Sequence, residues 1–393
     1  VFDEEFATSV EGVSSSTQVQ RPAEQVTDRF LAWLRDHKEE QFFAFVHYYD
    51  PHTPRPYGYD REVSNVDRNI GKIDRFLRDH ELLEKTHIFL TSEHGEGLGE
   101  HGESGHGFFL YDSTIRIPLI FRPAAGYDVT SRKVSAAVSL ADLMPTVLHL
   151  SGVEIPEDVQ GRNLVPLLRG QTLRREGVYA ETFIPQLHFG WAPLRSFRLR
   201  GFKYIEAPSP ELYEIGPDPG ETLDLSSSRS DLGGAYRSQL GEFVTKFGDS
   251  SGGSSQREVD RQARERLAAL GYVSLQQQRS VASTAGSIDP KDRVQAFEDY
   301  HGVLNDLSNR VVKPSTLTRI ERIQTTAPEV KGVSFLKAWY FELTDNPGEA
   351  EILYRKALSE APDQVLARAR FARLLERRGR LDEAEREMRE VLR

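Results

Sequence analysis

The stretch His87-Ile88-Phe89-Leu90-Thr91 runs directly into Ser92-Glu93-His94-Gly95-Glu96-Gly97-Leu98-Gly99-Glu100-His101-Gly102-Glu103-Ser104-Gly105-His106-Gly107. Ile88, Phe89 and Leu90 at the centre of the first five form a short apolar run without alternation, which predicts a buried strand of a parallel sheet. Residues 92–107 are rich in glycine, histidine and carboxylates. A loop of that kind at the C-terminal end of a strand lies where open α/β sheets place their ligands.

To either side, Phe42 to His47 is a second apolar run of strand length, and Ile117 to Phe121 a third. Helices are predicted between and around them. Val26, Phe30 and Leu34 recur at helical spacing over residues 22–38, and Val66, Ile70, Ile73 and Leu77 do so in the segment after a Pro-rich loop. A further helix is expected from Ala141 to Leu150. Strands alternating with helices predict an α/β fold with a parallel sheet. Short runs at 178–181, 194–200 and 203–206 predict a smaller antiparallel subdomain. From Ser226 to Ser255 the chain turns Ser/Gly-rich, with a flexible stretch expected from Asp249. A second polar linker is expected from Gln276 to Asp289.

The tail repeats itself. Ala338 and Ala372, Ala350 and Ala384, and Pro328 and Pro362 are each separated by 34 residues, the tetratricopeptide period. Asp345 and Gly379 fall in equivalent inter-helix turns, Phe341 and Leu375 at equivalent packing positions. Ile320 and Ile323 match Tyr354 and Ala357, which adds a degenerate earlier unit. An unrelated helical bundle is the alternative. Repeats of this class bind peptides or partner proteins more often than they catalyse. The domain organisation expected is an α/β core over 1–170, a smaller subdomain and linker over 171–275, and an all-α repeat array over 290–393.

The chain has 393 residues and a net charge of −10, with 38% hydrophobic and 28% charged residues. This is an ordinary globular composition, and its acidity argues against nucleic acid or anionic membrane as partner. There are no cysteines, which excludes disulfides, thiolate metal sites and a thiol nucleophile within these residues. No run of about 18 apolar residues is present. The chain opens Val1-Phe2-Asp3-Glu4-Glu5-Phe6, without an initiator Met or signal peptide pattern, so a truncated or processed product is expected.

Of the 11 histidines, five sit in the two loops: His47 and His52 in Val46-His47-Tyr48-Tyr49-Asp50-Pro51-His52, and His94, His101 and His106 in the Gly-rich loop. A carboxylate beside a histidine at a strand end supplies two metal-ligating groups at one point, as Glu93 and His94 would. Glycines let the backbone approach a metal or oxyanion without Cβ clashes. A lone histidine after a strand is usually structural; two histidine-bearing loops at one sheet edge favour a site.

In order along the chain, Asp50-Pro51-His52, Asp67 to Gly71 and Ser92-Glu93-His94-Gly95-Glu96-Gly97-Leu98-Gly99-Glu100-His101-Gly102 resemble the motifs of sulfatases, in the alkaline phosphatase superfamily. The resemblance continues through Tyr111-Asp112, Arg116 to Pro118, Asp142 to Thr146, Gln160 to Leu164, Tyr179 to Thr182, Lys203 to Ile205, Glu211 to Tyr213 and Asp218 to Glu221. It ends at Leu267 to Tyr272 and so covers roughly two thirds of the chain. It implies hydrolysis of sulfate esters such as a sulfated glycan or an aryl sulfate. It also implies a divalent metal, Ca²⁺ above all, held partly by Glu93 and His94. His52 would contact the sulfate group or assist proton transfer, and His106 would bind sulfate oxygens. A formylglycine nucleophile is implied in a segment preceding this chain, since a Cys/Ser-x-Pro-x-Arg motif and an Asp-Asp metal pair are both missing here. Glu93 stands where the family has Asp. Periplasmic or extracellular location is suggested by the resemblance alone. A phosphodiesterase or phosphonate monoester hydrolase of the same superfamily, and a non-catalytic repeat scaffold, are the other readings. Without a nucleophile, the chain by itself is expected to be inactive.

Overall fold

Ala23, Thr27, Leu31 and Leu34 recur at three- and four-residue spacing and all four are buried, on helix α1 (Ala23–His37). That stripe packs on α2 (Tyr59–Asp79), where Phe76 and Leu77 join Leu82 and Leu83 in a small core with Trp33, Ile73 and Ile88. The computed structural model describes residues 21–52, 58–129, 133–248, 287–362 and 364–391. Residues 249–255, most of the second linker and the 267–272 element lie outside them.

The expected strand Phe42 to His47 does not form. Phe42 reaches the α1–α2 core, but Phe43 and Phe45 are 76% and 80% exposed. Strand β1 (Ile88–Thr91) instead pairs with β4 (Leu119–Arg122), and it does so antiparallel, with Ile88 opposite Arg122 and Thr91 opposite Leu119. No parallel pairing occurs among the described residues. An apolar run specifies burial and says nothing about strand direction. The connection from β1 to β4 carries only a short β2–β3 hairpin (Gly97–Leu98, Ser104–Gly105) and the one-turn helix α3 (Asp112–Ile115), with no crossover helix to bring the chain back parallel. Further on, a capping box at Ser139 and Asp142 opens a turn that leads into α4 (Leu143–Leu150), and the one-turn α5 (Val165–Leu168) follows.

The antiparallel subdomain is as expected. Strands β5 (Val178–Thr182), β6 (Leu194–Leu199), β7 (Phe202–Glu206) and β8 (Glu211–Glu214) pair in sequence order, with α6 (Ile184–Phe189) between the first two. Period two sorts their side chains. Phe197, Tyr204 and Leu212 face α7 (Ser230–Phe247), packing on Tyr236 and Leu240. Arg198, Lys203 and Tyr213 are cross-strand neighbours on the other face. The helix α7 corrects the Ser/Gly reading of 226–248: its apolar residues Tyr236, Leu240 and Phe243 sit at helical spacing and find a sheet to cover.

The tail forms α8 (Val294–Ser308), α9 (Pro314–Thr326), α10 (Val333–Leu343), α11 (Pro347–Glu360), α12 (Val365–Arg377) and α13 (Leu381–Val391). Ala338, Ala350 and Ala372 are buried, letting neighbouring helices close on one another, and Tyr354, Ile320 and Ile323 fill the layers between them. Asp345 and Gly379, the equivalent turn residues, share a left-handed backbone with φ of +55° and +74°. The array also joins the rest of the fold through one core: Phe108 stacks on Phe297 at 4.0 Å, and Phe189 lies edge-on to Phe297 at 5.9 Å. Among the described residues no helix is long and apolar enough to cross a membrane.

Candidate functional site

His52 ends a short turn, Asp50–His52, that is tied to both flanking helices. Asp50 accepts a hydrogen bond from the Ala23 backbone N–H at 3.0 Å, capping α1, and one from Asn65 of α2 at 3.4 Å. Thr27 Oγ1 and the Tyr48 hydroxyl lie 2.8 Å apart, which fixes the chain just before the turn. The Gly-rich loop is folded back on itself by the β2–β3 hairpin, where Gly97 pairs with Gly105. The residues flanking that ladder are thereby brought opposite one another, and His106 Nδ1 donates to Glu96 Oε2 at 2.8 Å. Gly95 passes so close to α3 that a Cβ would sit 2.4 Å from the Ser113 carbonyl oxygen, and its N–H donates to Thr114 at 2.7 Å. Only glycine allows His94 to be held at that place.

The two loops converge. Ring centroids of His94 and His106 are 3.9 Å apart and stacked, those of His52 and His106 are 4.8 Å apart, and those of His52 and His94 are 5.8 Å apart. One ring nitrogen of each falls within 4.8 Å of the other two. His94 Nδ1 lies 2.8 Å from the Gly95 carbonyl oxygen, an acceptor only, so that nitrogen carries a proton. In the neutral rings of His94 and His106 the proton is thus on Nδ1 and the lone pair on Nε2. The Tyr49 hydroxyl lies 3.2 Å from His52 Nε2. Burial, then the neighbouring His106 and His94, push the His52 pKa down to about 4, against the weaker pull of Glu96 and Glu93. The site therefore presents an uncharged imidazole at neutral pH.

His52, His94 and His106 are thus gathered, whereas Glu93 is not part of the three-imidazole group: its carboxylate is 65% exposed and meets His47 at 3.2 Å. His101 is remote in role, stacked on Tyr111 at 3.5 Å with its Nε2 3.1 Å from the Gly220 carbonyl oxygen. Ca²⁺ takes about six to eight oxygen ligands. Three imidazoles do not offer them, and the two nearby carboxylates, Glu93 and Glu96, each already engage a histidine. The donors of the described residues alone do not complete a Ca²⁺ shell, and imidazole nitrogens by themselves suit borderline ions such as Zn²⁺.

The sequence model of the Sulfatase family matches residues 13–153, a stretch that contains both histidine loops, and that of N-sulphoglucosamine sulphohydrolase, C-terminal, matches 99–232. Residues 13–232 are thus similar to sulfatases. The tail matches the Tetratricopeptide repeat family over residues 344–393. The sulfatase segment is 28% identical over 149 residues to delta 4,5-hexuronate-2-O-sulfatase of Bacteroides thetaiotaomicron, covering 35% of this chain and 30% of that protein. It is 35% identical over 136 residues to N-acetylglucosamine-6-O-sulfatase of the same organism, covering 30% of this chain and 24% of that protein. The matches thus span under a third of those relatives' lengths. In structure, the chain resembles sulfatase yidJ from Bacteroides fragilis with a TM-score of 0.51 at 22% identity, over 59% of this chain and 60% of that one. That likeness carries the fold.

Two partners of the histidine cluster were not singled out by sequence reasoning. Glu96 orients His106 and is nearly buried, and Tyr49 stacks on His52 at 4.3 Å. Glu96 had a signal, a lone carboxylate between two loop glycines. Tyr49 had none, because which of two adjacent tyrosines faces the histidine depends on the turn after them.

Proposed function

We propose that the protein carrying this chain hydrolyses sulfate esters of saccharides, with the ester anion received where His52 and His106 meet. The observation that carries the reading is the convergence of three imidazoles from two separate loops inside the sulfatase-matched segment. The saccharide is suggested by the names of the relatives, one acting on a hexuronate sulfate and one on an N-acetylglucosamine sulfate. His52 serves as the sulfate contact or proton-transfer group, and His106, oriented by Glu96, binds sulfate oxygens. His94 supplies a metal ligand. The Glu93 role remains part of this proposal, and requires the side chain to leave His47. The cation that suits these imidazoles is a borderline divalent ion, which would neutralise charge developing on the ester oxygens. No residue of this chain is assigned as nucleophile. The tetratricopeptide helices are proposed to hold a protein or peptide partner.

The test is a substrate comparison on the full-length protein, using the sulfate and phosphate monoesters of one aryl alcohol and a 6-O-sulfated glucosamine. Release of sulfate from the sulfate esters, and much slower release of phosphate, is the expected result. Preference for the phosphate ester would overturn the assignment in favour of phosphoryl chemistry.

A further inference from the structure

Away from the histidines, a cleft of about 700 Å³ opens where β5 begins and β6 ends, and among its lining residues are Arg162, Arg174, Arg175, Arg198, Arg200 and Glu176. Five guanidiniums face one carboxylate, in a chain whose net charge is −10. The carboxylate is already spoken for: Glu176 accepts from Lys246 Nζ at 2.6 Å. Arg175 holds the buried Asp142 through Nη2, yet its Nε and Nη1, both shut off from solvent, have no acceptor among the described residues. Arg198 donates to Asp112 at 3.0 Å, in a buried group that also holds Lys203 and Glu221, and so belongs to the fold's own charge pairing. Arg162, Arg174 and Arg200 form no ion pair among the described residues. Arg200 sits in the β6–β7 turn at φ +49°, before Gly201 at +85°, a position that favours Gly or Asn.

Clustered guanidiniums repel one another, and buried N–H donors without acceptors cost stability, so this arrangement suits an oxyanion partner. Guanidinium forks match sulfate and carboxylate oxygens in pairs. The volume exceeds what one sulfate would fill and is within the range of pockets for larger ligands. We propose that this cleft binds a sulfated saccharide chain, Arg174 and Arg200 each taking an oxyanion group. The polyanion requirement rests on the cleft alone; the saccharide identity rests on the hydrolase reading above.

The test titrates a heparin-derived, fully sulfated hexasaccharide into full-length protein by calorimetry, in a His52→Ala background that prevents turnover. Arg174→Gln with Arg200→Gln is the variant of choice, because neither side chain is paired with a buried carboxylate. Binding in the His52→Ala protein, weakened at least about ten-fold by the two arginine changes and steeply by added salt, is expected. Unchanged affinity in the arginine variant would overturn the proposal, as would equal binding of the desulfated hexasaccharide. Displacement by tripolyphosphate at matched concentration would reassign the cleft to polyphosphates. Saccharide binding in the cleft without sulfate release by the wild type would leave this site standing and remove the hydrolase reading.

Discussion

His52, His94 and His106 meet because single hydrogen bonds at single residues fix each loop: Asp50 on the first, Gly95 and Glu96 on the second. The same loop carries a buried carboxylate. Glu103 is almost fully enclosed and accepts from the Phe108 and Phe109 N–H groups, yet burial raises its pKa to about 7. The folded chain therefore keeps a proton that the unfolded chain has released once pH exceeds its ordinary value of about 4.5. Its contribution to stability is present below that value and is lost as pH rises through about 7. The melting temperature of the wild type is expected to fall more steeply between about pH 5 and about pH 7 than that of Glu103→Gln. Parallel slopes would show that Glu103 is not the group responsible. At this scale the sequence drew attention to five loop histidines, of which the structure gathers His52, His94 and His106, and was silent about geometry. The pairing of Glu96 with His106 depends on a two-residue hairpin ladder, and that of Glu93 with His47 on the approach of the two loops, neither of which composition announces.

At the scale of elements, the repeat array was the most legible part, because one helical pair restates another 34 residues later and small residues mark the crossings. The first strand was misread for a physical reason. Phe42 to His47 has strand composition, but no sheet edge among the described residues takes it up, and two of its phenylalanines stay exposed. The antiparallel sheet was read correctly from its short alternating runs. Its buried charge was not foreseen. Lys203 is fully enclosed on β7 and paired with Asp112 and Glu221 at 2.9 and 2.5 Å. Removing the lysine leaves Glu221 buried without its cation and Asp112 with Arg198 alone. Lys203→Ala is expected to cost about 3–5 kcal/mol in denaturant unfolding. A loss below about 1 kcal/mol would mean that water or rearrangement already screens the pair.

At the scale of the whole molecule, the helical array and the sulfatase segment share a core that begins immediately after the Gly-rich loop. Phe108 stacks on Phe297, the Ser104 N–H donates to Glu298 at 2.8 Å, and Trp191 donates to Glu329 at 3.0 Å. The repeats thus brace the loop that carries His106. Phe297→Ala is expected to cost about 3–5 kcal/mol. It is also expected to separate a single thermal transition into two, since the variant removes the aromatic contact between the units. One unsplit transition of unchanged midpoint would show that the array and the α/β unit are energetically independent. A partner on the repeats would act on the site through this contact, by shifting how firmly the loop is held.

The most direct test of the joint site is a double-mutant cycle on kcat/KM for sulfate-ester hydrolysis by the full-length protein, using His52→Ala, His106→Ala and both together. Two imidazoles whose ring centroids lie 4.8 Å apart, acting on one anion, are expected to be non-additive. Each single change should cost about 10²-fold or more, and the pair little beyond either alone. Full activity in His52→Ala, or losses that simply multiply, would contradict a shared site.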